Sequence, residues 1–211
     1  MKIAVYSSKG SAGKTPISAN IVLDKDFAVG TNEAFHIYDT FLDDNKLLAL
    51  HPEDVFPNEL VTHNIDIVFD LAGSISKSAL SISSALEMSD FVIVPIYNEK
   101  KSLLGGLNTI EQIKRFNKNI IIVATKLEKQ KNDVFSLDWR QSKDFKDIEK
   151  AVRNNIGEEI PILPLKKSKV FDNIFDEKMS ISQLMNDSPL AKHNYKVVSD
   201  QFDEIYKLIG I

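Results

Sequence analysis

Met1-Lys-Ile-Ala-Val-Tyr6, followed at once by Ser7-Ser-Lys-Gly-Ser-Ala-Gly-Lys-Thr15, decides how this chain is read. The first six residues have the apolar character of a short buried strand. The next nine combine two glycines with a Lys-Thr step and run into helix formers. Gly10 and Gly13 permit tight turns in which successive backbone N–H groups point inward at an anion. A helix beginning after Gly13 adds the positive end of its dipole. Lys14 is placed to reach the β- and γ-phosphates of a nucleotide, and the Thr15 hydroxyl to bind Mg2+. Pro16 falls in the first helical turn, where a missing N–H costs little. The plainer alternative is a Gly-Ser turn with two surface lysines; the preceding strand argues against it.

The second chemical stretch is Ile65-Asp-Ile-Val-Phe-Asp70-Leu-Ala-Gly73-Ser. A run of apolar residues ending in an aspartate, with glycine three residues on, is the Walker B pattern. The strand end fixes the Asp70 carboxylate where it holds Mg2+ or its waters. Gly73 lets the backbone approach the γ-phosphate. Alone this pattern is common in β-to-α turns; after a phosphate loop it gains weight.

The strict pattern G-x-x-x-x-G-K-[ST] is not met, because Ser8 stands where its first glycine belongs. Lys9-Gly10-x-x-Gly13-Lys14-Thr15 is met instead. This resembles the deviant loop of the ParA/MinD family of ATPases, and most closely its small ParF-like members. The resemblance implies a nucleotide-bridged homodimer in which Lys9 reaches the partner's phosphates, with Lys9, Gly10, Ser11, Ala12, Gly13, Lys14, Thr15 and Pro16 around ATP and with Thr15 and Asp70 on Mg2+. Ser11 departs from the family, which has a second glycine there, and takes the turn at some strain. The family's D-x-D-P-Q, whose second aspartate positions the attacking water, is absent. Asn32 falls near that place if Ala28-Val29 is the strand; Asp39 or Asp43 serves if the strand is Phe35-His-Ile-Tyr38. We take Asp39 as the candidate catalytic group beside Lys9 and Lys14, with ordinary turn residues as the alternative.

Elsewhere strands and helices alternate. A helix runs from Thr15 to near Asp24-Lys-Asp26. Asp44 to Asn64 is polar and reads as loop plus a short helix. Ser74 to Met88 is a helix with Ile75, Leu80, Ile82 and Leu86 as its apolar side. Phe91 to Tyr97 and Asn119 to Thr125 are strands buried on both faces, with Pro95 at or beyond the last ladder bond. Gly105-Gly106 lead into a helix, Leu107 to Phe116, as a contact with a sister subunit or as a place of close packing. Thr125 or Lys126 lies beside the adenine, or is an ordinary strand end. Asp144 to Asn155 is a charged surface helix with a core stripe of Phe145, Ile148 and Val152. Ile160 to Leu165, broken by prolines, is an edge strand. Asn194 to Leu208 is amphipathic with an acidic outer face, the wrong sign for a membrane-binding tail. The fold class is therefore α/β, a mostly parallel twisted sheet with helices on both faces, and the prior from 211 residues is one domain.

Composition excludes several classes. The net charge of −4 gives no global attraction to nucleic acid or anionic membrane, so any DNA contact must be local. Lys166, Lys167 and Lys169 form the tight basic cluster; basic residues near this place in small ParA-like proteins bind DNA through phosphates, and a solvated turn is the alternative. The absence of cysteine fits a reducing cytosol and excludes iron–sulfur ligation. Neither a membrane span nor a signal peptide is expected. The four histidines, His36, His51, His63 and His193, lack ligand spacing. The resemblance implies a partition ATPase: ATP-Mg2+ dimerises it, DNA binds non-specifically, and a ParB-like, centromere-binding partner stimulates weak hydrolysis. The alternatives are a switch of the same fold that positions another cargo without DNA, a protein complex or conjugation machinery, and a small-molecule kinase or ligase of the dethiobiotin-synthetase type.

Overall fold

A computed structural model of the chain describes residues 1–73 and 75–211; the expected helix start at Ser74 and the side chain of Ile75 lie outside the described residues. Seven strands form one sheet: β1 (Lys2–Val5), β2 (Ala28–Thr31), β3 (Leu47–Ala49), β4 (Ile67–Asp70), β5 (Phe91–Ile96), β6 (Ile120–Leu127) and β7 (Ile162–Lys166). Their order is β3-β2-β4-β1-β5-β6-β7, and every pairing is parallel. The helices are α1 (Lys14–Lys25), α2 (Glu59–Thr62), α3 (Ile75–Met88), α4 (Lys100–Ile113), α5 (Lys143–Asn155), α6 (Val170–Glu177), α7 (Ile181–Leu184) and α8 (Pro189–Ile209).

Alternation along the strands builds two cores. Ile3, Val5, Val29, Val68, Ile93, Ile121 and Val123 face α1, α6, α7 and α8, where Ile17, Ile21, Ile174, Phe202 and Ile205 meet them. Ala4, Tyr6, Phe69, Val92, Val94 and Ile122 face the other way, onto Leu86 of α3, Ile110 and Ile113 of α4 and Phe145, Ile148 and Val152 of α5. Parallel strands covered on both faces read as continuous apolar runs, which is the pattern of β5 and β6.

Strand order reverses at β1, which lies between β4 and β5. Ligands of open parallel sheets bind outside the carboxyl ends of the strands at such a reversal. The register makes the place specific: Val5 pairs with Asp70, and Asp70 pairs on its other side with Thr31. The chain leaving β1, the end of β4 and the chain leaving β2 therefore converge in one row.

Three expectations are corrected. Phe35 to Tyr38 is not a strand: Phe35 is 96% exposed, and Tyr38–Thr40 is a single 3-10 turn. The place beside β2 is taken by β3, from the stretch read as loop; at three residues it is too short to display alternation. The helix α4 starts at Lys100 and takes Gly105 and Gly106 into its interior. A Cβ on Gly106 would lie 2.5 Å from Ile96 Cδ1, so its smallness is what lets α4 close on β5. Pro95 lies inside the β5–β6 ladder, opposite Val123, but past the last β1 pair at Ile93; Tyr6 N–H still donates to the Ile93 carbonyl, and the β1–β5 ladder stops at the proline, which has no N–H to continue it.

Asn20 on α1 is buried and ties three helices together. Its Nδ2 donates to Tyr206 Oη at 2.9 Å, and its Oδ1 accepts from the Ile181 N–H at 2.8 Å. Asn20→Ala removes both bonds, leaves the buried Ile181 N–H without its acceptor, and is expected to lower the unfolding free energy by about 2 kcal/mol, read from urea denaturation.

Candidate active site

The loop between β1 and α1 is held in a strained, pre-formed shape. Ser11 (φ 60°) and Gly13 (φ 95°) are both left-handed. For the serine this costs about 1 kcal/mol, the strain foreseen from its replacing a glycine. The loop is tied down from outside. Ser8 N–H donates to Thr109 Oγ1 at 3.1 Å, and Ser8 Oγ donates to the Gly105 carbonyl at 3.2 Å. Thr125 Oγ1 donates to the Ala12 carbonyl at 2.9 Å. Beneath, a Cβ on Gly73 would come within 3.2 Å of the Ser7 and Ser8 carbonyl oxygens, so only glycine fits without displacement.

Gly10 to Pro16, Glu33, Gly73 and Lys126 line a cleft of about 410 Å³ over this loop. A larger hollow, about 590 Å³ around Lys114, Lys118 and Glu158, lies at the amino ends of β5 and β6. It lies at the opposite edge of the sheet from the loop between β1 and α1 and from Asp70, so the smaller cleft is the candidate site. Lys14 is buried with Nζ 3.8 Å from Glu33 Oε1. Lys9 is half-exposed, with its Cβ against Gly105, and forms no ion pair among the described residues. Lys126 is left-handed (φ 54°), with Nζ 4.6 Å from the centroid of the Tyr97 ring.

Asp70 ends β4 almost without exposure. Tyr38 Oη donates to its Oδ2 at 2.9 Å, while Oδ1 is buried with no hydrogen-bond partner among the described residues. Burial pushes the Asp70 carboxyl up from 3.8 to about 6, against the opposing pull of the Thr15 hydroxyl, the Lys14 charge and the Tyr38 phenol. An orphaned carboxylate oxygen beside Thr15 is the donor set for a hard cation such as Mg2+. The left-handed loop and the buried lysine suit a polyphosphate. The residues present thus fit both groups.

The sequence-derived residues divide. Lys14, Thr15 and Asp70 come together, with Gly10, Ser11, Ala12, Gly13, Pro16 and Lys126 around them. Asp39 and Asp43 are exposed and do not line the cleft. A 3-10 turn advances about 120° per residue, so the inward Tyr38 sends Asp39 outward. Asn32 is buried, but its amide is committed: Nδ2 donates to Ser81 Oγ at 2.7 Å, and Oδ1 accepts from Ala72 N–H at 2.7 Å. Glu33 and Tyr38 were missed. An acidic residue directly after Asn32 was the available signal for Glu33; nothing local marked Tyr38. In the basic cluster, Lys167 pairs with Glu128, Lys166 is partly buried 5.8 Å over Trp139, and Lys169 is exposed.

Comparison with solved structures places the architecture. McdA of Cyanothece, solved without nucleotide and as an ATP complex, superposes with a TM-score of 0.62 for the apo form at 14% identity, covering 95% of this chain and 98% of that one. The fold is that of the MinD and partition ATPases. The septum site-determining protein MinD of Pyrococcus horikoshii, complexed with Mg-ADP, gives 0.61 at 12% identity, covering 99% and 98%. A putative plasmid partition protein of Borrelia burgdorferi bound to AMPPNP gives 0.51 at 17% identity, covering 96% and 98%. No protein-family model and no curated protein sequence matches the chain.

The raised Asp70 value has a pH consequence. With a folded value near 6 and an unfolded value near 3.8, the native state holds the proton more tightly between those limits. The group's contribution is most favourable below pH 4 and is lost as pH rises through 6. Asp70→Asn is therefore expected to stabilise the nucleotide-free protein at pH 7, by an amount on the order of 3 kcal/mol, and to lose that advantage by about pH 4. Urea denaturation of both proteins at the two pH values measures it.

Proposed function

We propose that this chain is a ParA/MinD-family ATPase of the partition type. It binds ATP with Mg2+, closes as a homodimer over the nucleotide, holds DNA non-specifically in that state, and lets go after weak hydrolysis stimulated by a ParB-like partner. The observation that supports this best is the meeting of Lys14, Thr15 and the half-satisfied Asp70 under a left-handed loop. Bound ATP-Mg2+ supplies the transferable phosphoryl group and a cation that offsets its charge.

The chain's own residues do the rest by placement. The loop N–H groups and the α1 dipole hold phosphate oxygens. Lys14 exchanges Glu33 for phosphate. Lys9, whose ammonium has no ion-pair partner among the described residues, extends to the phosphates of the second copy. Thr15 and Asp70 hold the cation, and Lys126 lies beside the base. Glu33, at the mouth of the cleft and 3.8 Å from Lys14, orders the attacking water. It takes the role that Asp39 was expected to fill, because Asp39 faces solvent and Asn32 has no free amide atom.

Calorimetry with Mg-ATP is expected to register binding for the wild type and none for Lys14→Ala. Lys9→Ala keeps the affinity but sediments as a monomer with ATP. Glu33→Gln binds and dimerises while turnover falls about 100-fold. Absence of heat with the wild type overturns the reading; an unchanged sedimentation of the Lys9 variant overturns its crossing role.

A second reading is a same-fold switch that positions a protein complex or conjugation machinery without touching DNA. What favours it is the state of the basic cluster, where Glu128 neutralises Lys167 and Lys166 is drawn over Trp139. Gel shift on random-sequence DNA separates the two. The partition reading expects an ATP-dependent shift that weakens steeply between about 50 and 200 mM salt. No shift at the lower salt selects the second reading.

A further inference from the structure

Tyr38 is a fully buried tyrosine in the middle of an apolar core, and its ring does not account for its hydroxyl. The ring packs on Phe41, with centroids 5.6 Å apart, inside the cluster that includes Ile17, Ile21 and Val68. Phenylalanine would fill that space. A hydroxyl buried there is unfavourable unless it is paired. Its partner is Oδ2 of Asp70 at 2.9 Å. Thr15 lies against the same carboxylate, and Ser18, one turn along α1, borders the phenol without reaching hydrogen-bond geometry. Ser18, Tyr38 and Asp70 thus form a buried polar cluster behind Thr15, which lines the cleft.

Resting on the nucleotide-binding reading above, we infer that Tyr38 is a positioning residue of the Mg2+ site: its hydroxyl fixes one oxygen of Asp70 and leaves the other for the cation. The phenol is suited to this. A phenol is neutral at ordinary pH. It therefore donates to the carboxylate without adding a charge that competes with the metal. With Oδ2 occupied, rotation of the carboxylate about its last bond breaks a buried hydrogen bond, so Oδ1 keeps one direction. Partners that orient a metal-binding carboxylate in this way are worth 10- to 100-fold in metal affinity. Tyr38 also belongs to the connection between β2 and β3, which carries Glu33. The same bond therefore anchors that segment to the metal ligand.

The test is the Mg2+ dependence of binding of a fluorescent ATP analogue to Tyr38→Phe. The midpoint is expected to move to about 10- to 100-fold higher Mg2+, with the affinity in EDTA unchanged. Phe41→Leu, which loosens the same ring but spares the hydroxyl, is the packing control and should leave the midpoint in place. A wild-type midpoint in Tyr38→Phe, or an equal shift in Phe41→Leu, overturns the role of the hydroxyl. A wild type that binds no analogue overturns the underlying reading instead. Should Tyr38→Phe not fold, wild-type protein labelled with 13Cζ-tyrosine gives a second measurement. Adding Mg2+ to the ATP complex should shift the resonance of one buried phenol, and five unmoved tyrosine signals would refute the coupling.

Discussion

The row Val5, Asp70, Thr31 is the constraint on which the site depends. Parallel pairing leaves no freedom in it: a one-residue slip of β4 would turn Asp70 from one core to the other and set Phe69 at the loop. The apolar alternation of β4, with Val68 in one core and Ile67 and Phe69 in the other, prevents that slip. Packing of the two cores thus decides where the carboxylate stands. The phosphate loop leaves β1 on one side of it, and Glu33 leaves β2 on the other.

The loop itself is less permissive than a glycine-rich one, and the structure offsets this with tethers. Ser8 spends its side chain on α4 and its N–H on Thr109. A glycine at that place would turn more freely but could not make the side-chain bond. Ser11 accepts a left-handed conformation at a cost of about 1 kcal/mol. Thr125 from β6 and the bare Cα of Gly73 press on the loop from two further directions. Gly105 and Gly106 cost α4 about 1 kcal/mol each in helix propensity. In return the helix lies close enough to β5 and Lys9 for Thr109 and Gly105 to reach Ser8.

What was legible in the sequence is what is local. A strand, a loop and a helix start within fifteen residues announced the candidate phosphate loop, and a strand ending in an aspartate announced the place of Asp70 beside it. The buried strands β5 and β6 were evident as apolar runs. The stretch from Asn32 to Ala49 has no period, because one-turn helices and a three-residue edge strand express none. Its chemistry was therefore assigned by distance along the chain, which favoured Asp39. The fold selects by direction instead: Tyr38 turns in, Asp39 turns out, and Glu33 lies over the cleft. The surroundings of the basic cluster were likewise not legible as a string, since Glu128 and Trp139 approach Lys167 and Lys166 only through tertiary contact.

The nucleotide-free site holds charges that are incompletely satisfied. Among the described residues Asp70 keeps one buried oxygen without a partner, and Lys14 and Glu33 stand 3.8 Å apart, a loose pair for a lysine so buried. Neither arrangement is what folding alone would favour, since an apolar or fully bonded replacement would stabilise the domain. Both are what a site needs if an anion and a cation are to displace weak internal contacts and replace them with stronger ones. The tolerance for this lies in the two cores. They bury enough apolar surface on either side of the sheet to carry a few kcal/mol of electrostatic cost at its carboxyl edge. A ligand that binds only the folded state would return the stability given up at Asp70.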